Sequence, residues 1–321
     1  MVSIRFDQQW FDVKEDETVL DALLREGVSV PYSCRSGTCQ TCMMRAESGT
    51  PPEAAQQGLK ATRKARQHFL ACICKPVMDM EVALPTDLPP PVSMRVKRLR
   101  PLSADILEVT LTTQIPVDYR PGQFITLSDP EQTRRSYSLA SVPGMDDGLI
   151  LHVRRLPGGQ VSGWIHDVLQ EGDMLECSGP LGDCFYLPDQ LDRPLLLVGT
   201  GSGLAPLYGI LRDALRQGHT GPIRLFHGSR DSEGLYLQDE LRALANQHPE
   251  FNYTPCISGS EVPPHHVQGR AHEVALSNIP DLTGWQVFLC GHPEMVQQAR
   301  FQAFLAGAPL DDIHADPFSR S

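Results

Sequence analysis

The 321-residue chain carries 39 acidic and 28 basic residues, a formal charge of −11, with nine cysteines and 41% apolar residues. That length supports two or three domains, each burying its own core; no segment has the basic excess that nucleic acid requires, and no apolar run is long enough to cross a membrane. The odd cysteine count speaks against a disulfide framework, and with no signal-like apolar start the expected location is a reducing cytoplasm, where thiols serve as ligands or small hydrophobes.

In chain order, Val2-Ser3-Ile4-Arg5-Phe6 alternates as a strand, and residues 8–13 can return as its hairpin partner. Residues 18–27 space their apolar side chains as a helix and stop at Gly27. Cys34, Cys39 and Cys42 then stand in a C-x4-C-x2-C spacing with Cys72 far downstream, the ligand spacing of a plant-type [2Fe-2S] cluster. Gly37 gives the loop backbone freedom, and small Ser36, Thr38 and Thr41 leave their amides free to point at sulfur. Zinc would favour paired C-x2-C knuckles or spaced histidines, and only Cys39 and Cys42 make such a knuckle. Cys74 competes with Cys72 for the fourth position; on a strand the two would face the same way. Between the third and fourth ligands, residues 58–66 pack Lys60, Arg63, Lys64 and Arg66 into a short helical stretch, either a solvated face or a surface for an acidic partner. Residues 84–91, with four prolines, read as a semi-rigid spacer.

From residue 92 to 190, short alternating runs at 93–99, 106–111, 123–127 and 149–153 read as a small antiparallel barrel. Arg135-Ser136-Tyr137-Ser138 closes one of its strands. Gly158-Gly159-Gln160-Val161-Ser162 opens onto a helical 164–169, so its free amides can meet a phosphate. After Pro194 the pattern changes to continuous apolar runs at 195–198, 223–226 and 287–290 alternating with helices, which reads as a parallel nucleotide-binding sheet. Gly199-Thr200-Gly201-Ser202-Gly203 follows the first of these runs, where a dinucleotide meets such a sheet. Cys290-Gly291-His292-Pro293-Glu294-Met295 follows the last.

On these motifs residues 1–84 resemble the plant-type ferredoxin domain, and the rest resembles a ferredoxin-NADP reductase-type flavoprotein. The order resembles the reductase components of bacterial aromatic-ring oxygenases, those of naphthalene and benzoate dioxygenase and toluene monooxygenase among them. The resemblance implies a multidomain α+β and α/β fold. Its parts are a β-grasp [2Fe-2S] domain over 1–84, a linker over 85–91, an antiparallel FAD-binding barrel over 92–190 and a parallel-sheet NAD-binding domain over 191–321. FAD, a [2Fe-2S] cluster and NADH are the implied cofactors, and a terminal oxygenase or its ferredoxin is the implied acceptor.

By the same resemblance Arg135 neutralises the flavin pyrophosphate, Tyr137 lies against the ring and Ser138 hydrogen-bonds near N5. His152 and Arg154 touch the flavin tail, while Gly159, Val161 and Ser162 hold its phosphate. Gly201, Ser202, Gly203 and Arg230 receive the dinucleotide; Cys290, Gly291 and Met295 flank the nicotinamide, with Cys290 and Ser138 catalytic; and Phe318 covers the flavin. The family's fourth ligand lies four residues before a proline, which selects Cys72 ahead of Pro76. Thr200 and His292 depart from the family's small residues. Arg230 shares its loop with Asp231 and Glu233, and residues 257–261 lack the arginine of NADP-specific relatives, so NADH is expected over NADPH. The alternatives are a stand-alone reductase of an organic substrate such as a deoxysugar intermediate, and an interaction module on a degenerate flavoprotein scaffold.

Overall fold

The structure is a computed structural model that describes residues 2–32, 34–37, 40–85 and 91–318. The chain divides into two compact units, residues 1–87 and 88–321. Most of the expected proline spacer, residues 86–90, lies outside the described residues.

In the first unit β1 (Val2–Phe6) and β2 (Gln9–Val13) pair antiparallel, turned at Asp7 and Gln8 with positive φ. Helix α1 (Val19–Arg25) begins where the Thr18 hydroxyl accepts the Asp21 amide at 3.1 Å, capping one of the otherwise unpaired first-turn donors. It buries Val19, Leu20, Ala22 and Leu23. Then follow β3 (Met43–Ser48), α2 (Ala61–Ala65), β4 (His68–Leu70) and β5 (Met80–Ala83). The sheet order is β2-β1-β5-β3-β4, with β1 and β5 parallel, which is the β-grasp arrangement. Ile4, Leu20, Leu23, Met44, Phe69 and Leu70 fill its core, each burial contributing about 1.5–3 kcal/mol.

The second unit holds two layers. Strands β6 (Val92–Pro101), β7 (Ile106–Thr112), β8 (Phe124–Ser128), β9 (Arg134–Ser138), β10 (Leu149–Arg154) and β11 (Met174–Leu181) form an antiparallel sheet of order β10-β7-β6-β11-β8-β9. A bridge between Leu139 and Leu151 joins its two ends and closes it into a barrel. Helix α3 (Gln160–Asp167) packs on it through Val161 and Ile165.

Six parallel strands follow in the order β15-β14-β13-β12-β16-β17: β12 (Leu195–Thr200), β13 (Ile223–Ser229), β14 (Phe251–Ile257), β15 (Val267–Gln268), β16 (Gln286–Gly291) and β17 (Ile313–Pro317). Helices α4 (Leu204–Arg216), α5 (Gln238–Gln247), α6 (Ala271–Asn278) and α7 (Pro293–Leu305) connect them. The chain runs outward from β12 through β13 and then returns to its other side at β16, so a crevice opens beyond the carboxyl ends of β12 and β16.

Directional bonds join the two layers. Arg212 on α4 forks onto Asp146 at 2.8 and 2.9 Å. Gly209 lets α4 come down on the barrel, where a Cβ would stand 3.0 Å from the Leu139 carbonyl. On the barrel, buried Glu108 accepts from Arg98 at 2.9 Å and from Arg100 at 2.7 Å. Burial would raise its carboxyl, but the arginine hydrogen bonds outweigh this and hold it below its ordinary 4.5. A depressed carboxyl stabilises the fold above its unfolded pKa, and that stabilisation is lost as pH falls through the folded value. Glu108→Gln should therefore cost about 1–3 kcal/mol at pH 7. In thermal melts the gap from wild type should narrow as pH falls below 4.5 and close once it has passed the lower folded value; a gap that persists below both assigns the loss to packing.

Candidate functional site

The cysteine loop of the first unit ends where β3 begins. Ala71 donates its amide to the Cys42 carbonyl at 3.0 Å, so the β3–β4 ladder carries the third expected ligand to the turn at residues 71–73. There the Cys72 side chain meets that of Cys42, whose thiol burial pushes up to about 11. Cys72 is not on a strand: β4 stops at Leu70, and the Ile73 amide turns back to the Leu70 carbonyl at 3.1 Å. The expected strand alternation, with Cys72 and Cys74 facing the same way, therefore does not hold. Cys74 is fully buried in the apolar core, where burial pushes its thiol up to about 12.

Cys34 is exposed, and its sulfur accepts the Ser36 amide at 3.4 Å, the kind of bond that stabilises a ligating thiolate. Gly37, at φ +78°, lies on the Cys72 turn, where a Cβ would stand 2.7 Å from Ile73. Thr38 and Cys39 lie outside the described residues, and among those described no three potential metal ligands converge. Within that range the loop suits thiolate ligation: two thiols meet, and an amide points at a third.

In the second unit the crevice between barrel and parallel sheet is a cleft of about 1500 Å³. Arg135, Tyr137 and Ser138 enter it from β9, and His152 and Arg154 from β10. Gly159 starts α3 without a side-chain cap, leaving first-turn amides for an anion. A Cβ at Gly159 would stand 2.5 Å from Ser162 Oγ, so the loop has no room for one. Val161 and Ser162 line the same wall. An aromatic face, a guanidinium and a capless helix start suit a flat ring carrying a diphosphate.

Opposite lie Gly201 and Ser202, then Gly291, Met295 and Phe318. A Cβ at Gly203 would collide with the Cys290 carbonyl, which explains a glycine that does not itself line the cleft. Thr200 accepts the His292 amide at 3.1 Å and so clasps the two loops together. Arg154 is held by Asp105 at 2.7 Å, and its Nη1 would be 3.1 Å from a Cβ on Gly201. That location is beside the glycine-rich loop that follows β12. Cys290 is fully buried beneath the cleft, 3.7 Å from Cys184, and burial pushes its thiol well up. Arg230, Asp231 and Glu233 line the far end together, Asp231 also accepting the Gly234 amide at 3.1 Å.

Four features were not foreseen. Asp316 accepts the Ser138 hydroxyl at 2.8 Å; burial raises its carboxyl, and the Ser138 bond draws it part of the way back. Nothing in the residues 313–318 suggested an ordered strand, yet β17 pairs with β16 and the Phe318 amide donates to the Gly291 carbonyl at 2.8 Å. Arg270 joins Arg230 at the far end of the cleft. Lastly, buried Tyr236 lies between two histidines: its hydroxyl meets His152 Nδ1 at 3.1 Å, and His227 Nε2 meets the Gly201 carbonyl at 3.1 Å. Burial lowers both imidazoles to about 4, so both are neutral at pH 7. His227 then donates through Nε2 to the Gly201 carbonyl.

Three family models match consecutive parts of the chain: a 2Fe-2S iron-sulfur cluster binding domain over residues 5–77, an oxidoreductase FAD-binding domain over 93–186 and an oxidoreductase NAD-binding domain over 197–300. The chain is 38% identical over 304 residues to the reductase subunit of an aromatic O-demethylase from Amycolatopsis, covering 89% of each. It is 32% identical to the ferredoxin–NAD(P)+ reductase component of the naphthalene 1,2-dioxygenase system of Pseudomonas putida, covering 94% of this chain and 93% of that one. Among solved structures it matches the Amycolatopsis cytochrome P450 reductase with a TM-score of 0.70 and 33% identity, over 99% of this chain and all of that one. A ferredoxin reductase of carbazole 1,9a-dioxygenase shares the fold, with a TM-score of 0.67 and 24% identity over 99% and 98%.

The different placements of Cys72 and Cys74 give opposite expectations for their removal. Cys72→Ser should lose the visible cluster absorption. Cys74→Ser should keep it while lowering stability by about 1–3 kcal/mol through a buried hydroxyl. The reverse spectra would move the fourth ligand to Cys74.

Proposed function

The chain belongs to the family of iron–sulfur flavoprotein reductase components of oxygenase systems, and from that membership we propose that it passes electrons from NADH to a terminal oxygenase or its ferredoxin. The supporting observation is the coexistence of a nucleotide cleft at the switch point of the second unit and a cysteine loop in the first. When bound, FAD accepts a hydride and gives up electrons singly, and the cluster carries one electron at a time. In this reading residues 92–190 hold FAD, 191–321 hold the dinucleotide, 1–84 hold the exit and 85–91 link them. Cysteines used as ligands or as small buried hydrophobes suit a reducing cytoplasm.

Arg135, Tyr137, Ser138, Gly159, Val161 and Ser162 would hold FAD. Gly201, Ser202 and Arg154 would receive the dinucleotide phosphates, and Gly291 and Met295 its nicotinamide. Cys34, Cys39, Cys42 and Cys72 would ligate the cluster. Ser138 Oγ holds its proton in the hydrogen bond to Asp316 at the cleft wall. Phe318 and its strand cap that end.

Nucleotide choice is set at the far end. Glu233 can accept from a ribose hydroxyl and repel a phosphate there, against the attraction of Arg230 and Arg270. A higher kcat/KM for NADH than for NADPH is expected, and Glu233→Gln should narrow the ratio; a wild-type preference for NADPH would assign the end to the arginines.

The order of carriers has its own test. A fragment starting at Val92 should bind FAD and reduce ferricyanide with NADH, yet fail with cytochrome c. Equal cytochrome c rates for fragment and whole chain would remove the cysteine loop as the exit.

A further inference from the structure

We propose that His227 is a positioning residue for the dinucleotide: it holds the Gly201 carbonyl from beneath, so that the peptide of the glycine-rich loop presents its amide to a diphosphate in the cleft. The proposal rests on the reading that this loop receives the dinucleotide phosphates. Gly201 and Ser202 line the cleft, whereas His227 is fully buried and does not. It acts through the loop, without touching the ligand.

The bond is directional. His227 Nε2 donates to the Gly201 carbonyl at 3.1 Å, and the Leu204 amide donates to the same oxygen, which has two lone pairs to offer. A trans peptide is flat, with its C=O and the following N–H pointing opposite ways. A carbonyl held toward a buried ring therefore turns the Ser202 amide away from the interior, toward the cleft that Ser202 lines. Gly201 adopts φ +54°, and a glycine has little preference of its own between left- and right-handed backbone, so the bond from His227 decides the orientation. No side chain caps the turn at residues 201–203 to do this instead.

An apolar side chain would fill this place in the core with less penalty. Among the described residues the ring's Nδ1 has no hydrogen-bond partner, and an unpaired buried acceptor is destabilising. Burial lowers the imidazole to about 4, so at pH 7 the ring is neutral, with one proton to give. That proton goes to Gly201. The neighbours aim the ring: the strand register sets His227 beside Gly199, which has no side chain, and Tyr236 stands edge-on to it at 89°, with 5.6 Å between ring centres. Tyr236 is tied in turn through its hydroxyl to His152 Nδ1 at 3.1 Å, and His152 lines the barrel side of the cleft. One aromatic column thus runs from the barrel wall to the glycine-rich loop.

A core histidine with no part in binding is the plain competitor, and it implies that any side chain packing equally well serves equally well. Glutamine and methionine separate the two readings, being unbranched and close in size, with glutamine alone able to donate from its end. The test uses the full-length holoprotein and ADP-ribose, which carries the diphosphate but no nicotinamide, with binding read by calorimetry. His227→Met should raise the ADP-ribose Kd and the NADH KM about tenfold, with kcat for ferricyanide falling less than KM rises, while His227→Gln should stay within about threefold of wild type. Equal Kd values for His227→Met and wild type overturn the proposal, and so does a His227→Gln that binds no better than His227→Met. Should His227→Met not fold, the wild-type ring still decides the matter. In protein made with isotope-labelled histidine, the imidazole signal that His227→Gln removes should be that of a neutral ring protonated at Nε2; protonation at Nδ1 leaves nothing to give Gly201 and overturns the proposal. A wild type that does not bind ADP-ribose removes the underlying reading of the loop, and the proposal with it, whatever the variants do.

Discussion

The cleft depends on a backbone approach that leaves no room for a side chain. Where β12 and β16 end, Gly203 comes against the Cys290 carbonyl, and a Cβ on Gly291 would stand 2.6 Å from Thr200 Oγ1. Once these loops touch, Thr200 can take the His292 amide and Gly291 can offer its carbonyl to Phe318. The contact thereby fixes the dinucleotide loop, the start of α7 and the last described residue of the chain. A methyl group at either glycine would force the strand ends apart, moving both walls of the cleft together.

The barrel and the parallel sheet meet through polar bonds as well as apolar packing. Ser138 to Asp316, His152 to Tyr236 and Arg212 to Asp146 each join a barrel residue to the α/β layer. Apolar contact is tolerant of sliding, whereas a fork of two bonds at 2.8 and 2.9 Å is not. Two of the three seam bonds also shape the cleft, so the forces that set the angle between layers also set the distance between its walls. The neutral state of His152 and His227 follows from the same burial, which penalises a cation more than the nearby Glu108 carboxylate or the Gly201 carbonyl favours one.

Much of this arrangement was legible in the residues because the constraints are local. Continuous apolar runs at 195–198, 223–226 and 287–290 became the three central parallel strands, and the alternating runs at 93–99 and 106–111 became barrel strands. Turn glycines and the arginine–tyrosine–serine motif carry their geometry in adjacent positions. What stayed hidden depends on distant partners. Asp316 acquires meaning only when β17 pairs beside β16 and brings it to Ser138, 178 positions earlier. Tyr236 looks like any core tyrosine until two histidines from different strands close on it. The alternation argument for Cys72 and Cys74 failed for a simpler reason: the strand ends at Leu70, and Cys72 lies inside a three-residue turn that Cys74 follows.

Charge placement follows the same division between local and distant information. Counting by segment makes the first unit look electrically featureless, because its bases and acids nearly cancel. Topology undoes the cancellation. The β3–β4 ladder and the Gln40 hydrogen bonds to Gly58 and Arg63 draw residues 58–66 against the ligand loop, while the acidic hairpin and α1 segment supplies the balancing charge. The acidity of the second unit is compatible with an anion-binding cleft, since the helix-start amides and arginines that line it act locally rather than through net surface charge.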